Sequence, residues 1–361
     1  MSELLMIAGG GTGGHIYPAI AVAQEWLERN PRRQVLFVGT EYGLEKKLVP
    51  AAGFPLEFVR VGGLKGKSLG QTLKNVLRLP LGIADAWRLL SLHHPAAVLG
   101  VGGYASGPVL LVAALRGIPT AIHEANAFPG LTNRILGRFV WTIAVGFPKA
   151  LEQFGAKGVV TGNPVRRDFF EAAEQPRMAS TRVRLLLFGG SQGSKILNDT
   201  MTGALLFLSR LKGTLEITHQ TGAAMLDSVR AAYRTSPFPE ARVFAYLDSM
   251  ATEMASADLI VSRAGAMTVG ELAAVGRGAI LVPFAAATNN HQEFNARALE
   301  SAGGAVVITE AQLTAEKLAA EISALAGDPS RVEAMGRASR TAALPDATSR
   351  IVELLEEIKR N

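Results

Sequence analysis

An apolar strand, a glycine-rich turn and a helix follow one another twice in this chain, and this repeat constrains the fold most. The first copy, LLMIAGGGTGGHIYPAI, begins at Leu4, and the second, VRLLLFGGSQGSKILND, begins at Val183. Short apolar runs alternate with helical stretches around both copies, which is typical of parallel α/β sheets. A chain of 361 residues is also too long for one ordinary core. We therefore predict an α/β protein with two Rossmann-like, doubly wound parallel-sheet domains facing a central cleft.

The predicted strands divide the chain into these two domains. They are Leu4–Ala8, Val35–Gly39, Leu56–Val61, Ala97–Val101, Thr120–His123, Thr142–Val145, Val159–Thr161, the run VRLLLF, Leu215–Thr218, Val243–Ala245, Leu259–Val261, Ala279–Val282 and Ala305–Val307. Residues 1–165 are assigned to the N-terminal domain and residues 166–345 to the C-terminal domain. The polar stretch Glu171–Arg182 is interpreted as a linker. Residues 346–361 are predicted to form a helix, because their apolar residues recur at helical spacing, and the N-terminal domain is a candidate partner for that face.

Composition excludes several classes of protein. The absence of Cys rules out disulfides, thiolate metal sites and a Cys nucleophile, and it favours a reducing compartment. Neither a signal peptide nor a membrane-spanning helix is expected from the sequence. The pI of about 9.6 raises the question of nucleic-acid binding. However, the whole basic excess lies in residues 1–160, with 16 Lys and Arg against 9 Asp and Glu, and we predict no nucleic-acid partner.

The first glycine-rich turn matches G-x-G-x-x-G from Gly9 to Gly14, but a dinucleotide site also needs an acid about 20 residues further on, for a ribose. Glu41 comes too late for that role. The turn instead predicts an anion site made of free backbone N–H groups at a helix start. His15 lies at that helix N-terminus, where the helix dipole keeps the imidazole neutral, as a general base requires. A structural histidine that caps or packs in the turn is the alternative.

Three motifs in the second half indicate a nucleotide-sugar pocket. GGSQGSK, Gly189–Lys195, is a second anion-binding turn with Ser191 as a hydroxyl donor. In SRAGAMTVGEL, Glu271 follows a helix start at a spacing where its carboxylate can accept two ribose hydroxyls. Gln292 and Asn295, in ATNNHQEFNAR, are candidate partners of sugar hydroxyls. Glycine turns for close packing and capped surface loops are the alternatives for each motif taken singly.

No metal site is predicted, because the chain has no D-x-D and its histidines lack metal-ligand spacing. A bound diphosphate would then be neutralised by helix N-termini and basic side chains.

The segment Ser68–Trp87 has more apolar residues than one buried helix stripe needs, and basic residues accompany them. This combination suits an anionic membrane surface, and an ordinary core helix with solvated lysines is the alternative. We call this segment the basic apolar patch. Its members are Lys65, Lys67, Lys74, Leu77, Arg78, Leu79, Leu81 and Trp87.

Seven motifs that span nearly the whole chain resemble the MurG family of bacterial cell-wall enzymes, glycosyltransferase family 28. In order they are GGGTGGHIYPAIAVA, GVGGYASGP, HEANAFPGLTNR, VTGNPVR, FGGSQGSKILN, SRAGAMTVGELAAVG and NNHQEFNA. The resemblance implies a GT-B fold, with the acceptor on the N-terminal domain and the UDP-sugar mainly on the C-terminal one. It implies inverting transfer of N-acetylglucosamine (GlcNAc) from UDP-GlcNAc to the C4 hydroxyl of the N-acetylmuramic acid (MurNAc) of lipid I, which yields lipid II.

The resemblance also implies a role for individual residues. His15 would be the base, and Glu124 is a lesser catalytic candidate. Leu247 would contact uracil through its backbone, and Glu271 would bind the ribose. The residues placed at the substrates are Thr12, Gly13, Gly14, Tyr104, Asn126, Arg166, Ser191, Leu247, Arg263, Ala266, Met267, Thr268, Val269, Gly270, Glu271, Gln292 and Asn295. One departure is His291, which replaces the first of the family's paired glutamines.

Membrane association follows from the same resemblance, since the basic apolar patch matches the family's docking region. The implied partners are UDP-GlcNAc, the undecaprenyl-diphosphate-linked acceptor lipid I, an anionic membrane surface and other cell-wall synthesis proteins. The implied location is peripheral, on the cytoplasmic face of the bacterial inner membrane. No tightly bound cofactor is implied, and stimulation by a divalent cation that the protein does not ligate stays open.

Three rival interpretations remain at this point. The nearest is a related GT-B enzyme that glycosylates another membrane lipid, such as diacylglycerol. A Rossmann oxidoreductase would bind a nicotinamide, against which the missing ribose acid counts. A non-catalytic UDP-sugar-binding module would not need both His15 and Glu271.

Overall fold

The computed structural model describes residues 3–11, 13–62, 79–176 and 180–360. The chain forms two compact units, one of residues 1–165 with 344–361 and the other of residues 166–343. Five members of the basic apolar patch lie outside the described residues, as does Thr12. Those five are Lys65, Lys67, Lys74, Leu77 and Arg78.

The first unit contains a seven-stranded parallel sheet in the order β3-β2-β1-β4-β5-β6-β7. Its strands are β1 (Leu4–Ala8), β2 (Gln34–Gly39), β3 (Leu56–Phe58), β4 (Ala97–Gly100), β5 (Thr120–Glu124), β6 (Thr142–Val145) and β7 (Gly158–Val160). Its helices are α1 (Gly13–Glu28), α2 (Glu45–Ala51), α3 (Leu79–His93), α4 (Ser106–Leu115), α5 (Leu131–Leu136) and α6 (Leu151–Phe154). Strand β1 is apolar at every position and fully buried, as expected for a strand covered on both faces.

Two apolar clusters cover the two faces of this sheet. On one face Leu4 and Met6 of β1 pack with Leu89 and Leu90 of α3. On the other face Leu5 and Ile7 pack with α1 and with the last helix of the chain, whose residue range is Ala347–Arg360. This helix therefore belongs to the core of the first unit. Glu356 of this helix pairs with Arg33 at 2.7 Å, and Lys359 pairs with Glu3 at 2.7 Å, at the edge of that core.

The second unit contains a six-stranded parallel sheet in the order β10-β9-β8-β11-β12-β13. Its strands are β8 (Val183–Phe188), β9 (Leu215–Gln220), β10 (Arg242–Phe244), β11 (Leu259–Ser262), β12 (Gly278–Leu281) and β13 (Ala305–Val307). Its helices are α7 (Arg167–Glu174), α8 (Lys195–Ala204), α9 (Leu226–Arg234), α10 (Met250–Ser256), α11 (Ala266–Val275), α12 (His291–Ser301), α13 (Ala315–Ala326) and α14 (Pro329–Thr341). The helix that ends the chain is α15.

The interpretation of Glu171–Arg182 as a linker is wrong over its first residues. Helix α7 continues to Glu174, because Phe169 anchors it: this side chain is 1% exposed, and the helix packs against α10 and α11. An eight-residue helix held by one buried aromatic does not produce the apolar run that the sequence analysis required.

The strand order places two pairs of loops side by side. In the first sheet the order reverses between β1 and β4, and in the second between β8 and β11. In open α/β sheets ligands bind outside the carboxyl ends of the strands at such switch points. The loops after β1 and β4, and those after β8 and β11, are therefore the first places to look for a site.

No helix among the described residues is long and apolar enough to cross a membrane.

The buried face of α15 yields a stability prediction. Leu355 is 0% exposed in the core of the first unit. We expect Leu355→Ala to lower the free energy of unfolding by about 2–5 kcal/mol, because the truncation leaves a cavity in that core. Urea denaturation followed by circular dichroism measures this, with Glu357→Ala on the exposed side of the same helix as control. Equal stability of the two variants would show that α15 does not contribute to the core.

Candidate functional site

The glycine-rich loop after β1 is held against the loop after β4. Gly10 N–H donates to the carbonyl of Gly102 at 3.3 Å, and Gly9 N–H donates to Val38 at 3.0 Å. The Ser106 hydroxyl, fully buried, donates to the carbonyls of Ala8 at 2.6 Å and Gly102 at 2.9 Å. These bonds fix the two switch-point loops relative to each other.

Part of the predicted anion site is therefore revised. The sequence predicts free N–H groups in this turn, but those of Gly9, Gly10 and Gly11 each donate to a protein oxygen. The Gly11 N–H donates to the Glu45 carboxylate at 2.7 Å. The N–H groups of Gly13 and Gly14, which begin α1, have no acceptor within the helix and are the candidates for a ligand. An anion would thus bind at the helix start, after the turn.

The ring of His15 is oriented by one backbone bond. Its Nδ1 lies 3.2 Å from the carbonyl oxygen of Gly10. A carbonyl can only accept, so Nδ1 carries the proton and donates it. In the neutral imidazole the lone pair then resides on Nε2, which is the atom that can take a proton from a substrate.

The absence of a side chain at Gly102 leaves room for the imidazole of His15. This residue has a φ of +92°, a conformation that favours glycine, and a Cβ there would lie 3.2 Å from His15 Nε2. A side chain at this position would strain the loop and press on the reactive nitrogen.

Glu124 is the centre of a second hydrogen-bonded loop. It is 2% exposed, and its carboxylate accepts from the backbone of Asn126 at 2.9 Å and of Gly130 at 3.0 Å, and from the amide of Asn133 at 2.9 Å. The amide of Asn126 donates to it as well, at 3.1 Å. These bonds favour a role in shaping the loop 124–133 over the catalytic role that the resemblance suggested. Asn133 is a participant that the sequence analysis missed.

A second histidine lies near this site. His123 in β5 is 2% exposed, and burial lowers its pKa to about 4. A hydrogen bond with the backbone of Gly162 raises the pKa of His123 in part, and a positive charge on His15 lowers it. His123 is therefore neutral at physiological pH.

In the second unit, Gln220 ties together two predicted contacts of the nucleotide. Its Nε2 donates to the carbonyl of Gly190 at 3.0 Å, and its Oε1 accepts from the backbone of Leu247 at 3.0 Å. The Leu247 N–H is thus already hydrogen-bonded within the protein. Its carbonyl is the backbone group that can contact a uracil ring. Sequence analysis missed Gln220 because it ended the strand at Thr218, whereas β9 continues to Gln220.

The start of α11 is supported by a hydrogen bond from a buried side chain, Asn295. Gly265 precedes the helix in an extended conformation, so the N–H groups of Ala266, Met267 and Thr268 begin the first turn. Asn295 is 0% exposed, and its amide donates to the carbonyl of Ala264 at 3.3 Å. We therefore revise the expectation that Asn295 contacts a sugar: burial prevents it, and its position supports the helix start.

Arg263 is also committed within the protein. Its guanidinium pairs with Glu310 at 2.6 Å and donates to the carbonyls of Val282 and Pro283. This geometry connects the carboxyl ends of neighbouring strands, so the expected direct substrate contact of Arg263 is replaced by a supporting one.

Glu271 lies partly buried in α11 near two charged groups, Asp168 of α7 and Arg166 just before that helix. Burial raises its pKa to about 8, the guanidinium of Arg166 lowers it, and the carboxylate of Asp168 raises it. Arg166 is exposed and lies 3.4 Å from Asp168. The Glu271 carboxyl group is therefore largely protonated near neutral pH. A ligand that donates hydrogen bonds to the carboxylate stabilises the ionised form and lowers this pKa.

Of the remaining predicted residues, Gln292 is half-buried and its Oε1 accepts from the backbone of Phe284 at 3.0 Å. The NH2 group of this amide is the end that can donate to a ligand. Tyr104 and Ser191 are exposed, and His291 is half-buried at the start of α12.

Within the part of the chain that the structure describes, no group of three or more acidic or histidine side chains could hold a metal ion.

Comparison with known protein families matches each unit to a domain of one family. Residues 5–145 match the glycosyltransferase family 28 N-terminal domain, and residues 184–351 match the glycosyltransferase family 28 C-terminal domain. The predicted fold class, two Rossmann-like doubly wound parallel sheets of the GT-B type, is confirmed.

Relatives match over almost their full length. One from Anaeromyxobacter sp. (strain Fw109-5) is 49% identical, with 99% of this chain and 93% of the relative covered. One from Myxococcus xanthus is 44% identical, with 98% and 92% covered. Both are named UDP-N-acetylglucosamine--N-acetylmuramyl-(pentapeptide) pyrophosphoryl-undecaprenol N-acetylglucosamine transferase.

Solved structures agree. Acinetobacter baumannii MurG superimposes with a TM-score of 0.82 at 31% identity, covering 98% of this chain and 99% of that one. A UDP-GlcNAc 2-epimerase from Neisseria meningitidis, at 14% identity and a TM-score of 0.69, shares the fold alone. With both domain matches and these relatives together, the chain belongs to glycosyltransferase family 28.

Proposed function

We propose that this protein transfers GlcNAc from UDP-GlcNAc to the C4 hydroxyl of the MurNAc of lipid I, with inversion at the anomeric carbon, and so forms lipid II. The full-length relatives carry the name of this activity. The observation that carries the mechanism is the hydrogen bond from His15 Nδ1 to Gly10, which leaves Nε2 as a base.

The reaction follows from this arrangement. The acceptor oxygen forms a bond to the anomeric carbon while the bond from that carbon to the UDP phosphate oxygen breaks. His15 Nε2 takes the hydroxyl proton as the new bond forms, so the attacking group does not become a free oxonium ion. UDP leaves with the electron pair of the broken bond.

The second unit supplies the donor contacts in this proposal. The diphosphate binds at the start of α11 and at the turn Gly189–Lys195, where N–H groups and the helix dipole favour negative charge. Glu271 accepts hydrogen bonds from the ribose hydroxyls, and the Leu247 carbonyl faces uracil. The Gln292 amide donates a hydrogen bond to a GlcNAc hydroxyl. These helix N-termini, with Arg166, stabilise the charge that develops on the leaving UDP.

An acceptor assay tests the proposed substrate. Radiolabelled UDP-GlcNAc is offered with lipid I in one reaction and with diacylglycerol in another. Labelled lipid II from the first reaction alone is expected. Transfer to diacylglycerol without transfer to lipid I would favour the rival lipid glycosyltransferase.

Loss of the base should reduce the chemical step. We expect His15→Ala to lower kcat by ~10²-fold or more while the Kd of UDP-GlcNAc changes little, because a general base acts in the transition state. Steady-state assays and calorimetry measure the two quantities. Unchanged turnover would remove His15 from the mechanism.

The raised pKa of Glu271 predicts pH-dependent nucleotide binding. Ribose hydroxyls donate to the ionised carboxylate, whose pKa in the free protein is about 8. The affinity for UDP should therefore increase as the pH rises from about 6 to 8, with release of a proton on binding. Calorimetry in buffers of different ionisation enthalpy measures both effects.

Glu271→Gln serves as the matched variant. It should bind UDP more weakly and lose this pH dependence. Its melting temperature at pH 8 should exceed that of the native protein. In the native protein the pKa of Glu271 is raised from 4.5 to about 8 on folding, so the free energy of unfolding decreases as the pH rises from about 4.5 to 8. The glutamine variant does not show this loss. UDP affinity that is unaltered by the substitution would contradict the ribose role.

Membrane docking through the basic apolar patch is part of the proposal. In the described part of the patch, α3 exposes Leu79, Leu81 and Trp87 on its outer side, with Ile83 beside them. Asp85, Ala86, Leu89 and Leu90 form its buried side. Arg116 lies 4.8 Å above the Trp87 ring and adds a positive charge. Exposed apolar side chains next to basic groups suit an anionic lipid surface, and we place the protein at the cytoplasmic face of the inner membrane.

Vesicle flotation tests this surface. Leu81→Glu combined with Trp87→Glu should weaken binding to phosphatidylglycerol-containing vesicles by on the order of tenfold or more, because two apolar groups no longer enter the interface. The control is Leu206→Glu with Phe207→Glu, which changes two exposed apolar residues of the second unit in the same way. Equal flotation of both variants would assign membrane binding elsewhere.

A further inference from the structure

Glu45 is a buried carboxylate next to the glycine-rich loop that no role described so far uses. It begins α2 and is 2% exposed. Oε1 accepts from the Thr40 backbone at 2.9 Å and from the Thr40 hydroxyl at 2.8 Å. Oε2 accepts from the Gly11 N–H at 2.7 Å, a length typical of a charge-assisted bond. Both oxygens act as acceptors.

Three glycines make room for this carboxylate. A Cβ at Gly10, Gly39 or Gly43 would clash with the Glu45 side chain. The loop after β1, the end of β2 and the residues before α2 therefore close around one acidic group. Part of the glycine content of the loop is thus explained by a carboxylate of the protein itself.

The bond from Gly11 involves the same peptide group that orients His15. The N–H of the Gly10–Gly11 peptide donates to Glu45, and the C=O of that peptide accepts from His15 Nδ1 at 3.2 Å. One rigid, planar unit therefore connects the carboxylate to the imidazole. The two side chains are 30 positions apart in the sequence.

Hydrogen bonds in such a chain polarise one another. An anion that accepts from the N–H draws positive charge toward that hydrogen and increases negative charge on the carbonyl oxygen. That oxygen becomes a stronger acceptor for the Nδ1–H of His15, and a stronger bond there favours the imidazolium over the neutral ring.

We propose that Glu45 is a positioning residue which acts on His15 through the Gly10–Gly11 peptide, fixing the Nδ1–H tautomer and making Nε2 a stronger base. It takes the place of the carboxylate that orients a catalytic histidine directly in other enzymes. The catalytic consequence rests on the proposed function of His15. The effect on the ring does not.

His123 is a further titratable group that interacts with His15. Since its pKa is about 4, it is neutral over the range in which a histidine base normally titrates. A change in the titration of His15 above pH 5 can therefore be read without a change in the charge of His123.

The test uses the full-length protein without substrate, labelled with ¹⁵N-histidine. Two-bond ¹H–¹⁵N correlation spectra report the tautomer and pKa of each of the six histidines, and loss of one signal in His15→Gln assigns that of His15. Glu45→Gln keeps the shape and removes the charge. We expect it to lower the pKa of His15 by about half a unit or more. The control Glu356→Gln removes a charge from α15, where Glu356 pairs with Arg29 and Arg33, and should leave His15 unchanged.

Kinetics supply the second readout. In Glu45→Gln, kcat should fall by roughly 3–10-fold with KM for UDP-GlcNAc little changed, because a weaker base slows the transfer step. The acid limb of the kcat profile should move to lower pH, in parallel with the NMR titration.

The outcomes separate the two ideas. An unchanged tautomer and pKa of His15 in folded Glu45→Gln would overturn the proposal. A lowered pKa with unchanged kcat and acid limb would support the link from Glu45 to the ring and remove His15 as the base. If Glu45→Gln does not fold, Glu45→Asp takes its place, since its shorter side chain withdraws the carboxylate from Gly11. A native pKa of His15 in that folded variant would likewise overturn the proposal.

Discussion

Burial of the central parallel strands on both faces is the constraint on which this structure depends. Strands β1 and β8 lie inside their sheets and have helices on either side, so their buried side chains are apolar. Polar groups that serve chemistry are then confined to the strand ends and the loops beyond them. The reversal of strand order brings two such loops together in each unit, and the glycine-rich turns lie at those positions.

Buried polar side chains hold these loops, and the loop after β5, in place. Glu45 and Glu124 in the first unit, and Gln220 and Asn295 in the second, are nearly inaccessible to solvent and bind loop backbone. Each satisfies N–H or C=O groups that a tight turn cannot pair by itself, and an unpaired buried group is costly. The precision of the site therefore depends as much on these four residues as on the groups that would contact a substrate.

In the second unit, ionisation of Glu271 is energetically unfavourable because the carboxyl group is buried. Glu271 is held where burial disfavours its ionised form, and the Arg166 guanidinium opposes that effect only in part. A ligand that donates hydrogen bonds to the carboxylate offsets this cost, so binding and ionisation are linked. His15 is treated differently. Its ring needs the neutral form for a proton to be accepted, and a backbone carbonyl selects the tautomer that exposes Nε2.

The sequence by itself determined the strands, the two-domain α/β class and the family, because apolar periodicity, glycine-rich turns and ordered motifs are local signals. The prediction of His15, Glu271 and Gln292 as site residues also rests on local context. Tertiary structure decided which polar groups are available to a ligand. It paired the N–H groups of the first glycine-rich loop, buried Asn295, paired Arg263 with Glu310 and brought Glu45 to the peptide beside His15. These are pairings between residues 29 or more positions apart, and neither periodicity nor motif spacing encodes which distant atoms meet once the sheets assemble.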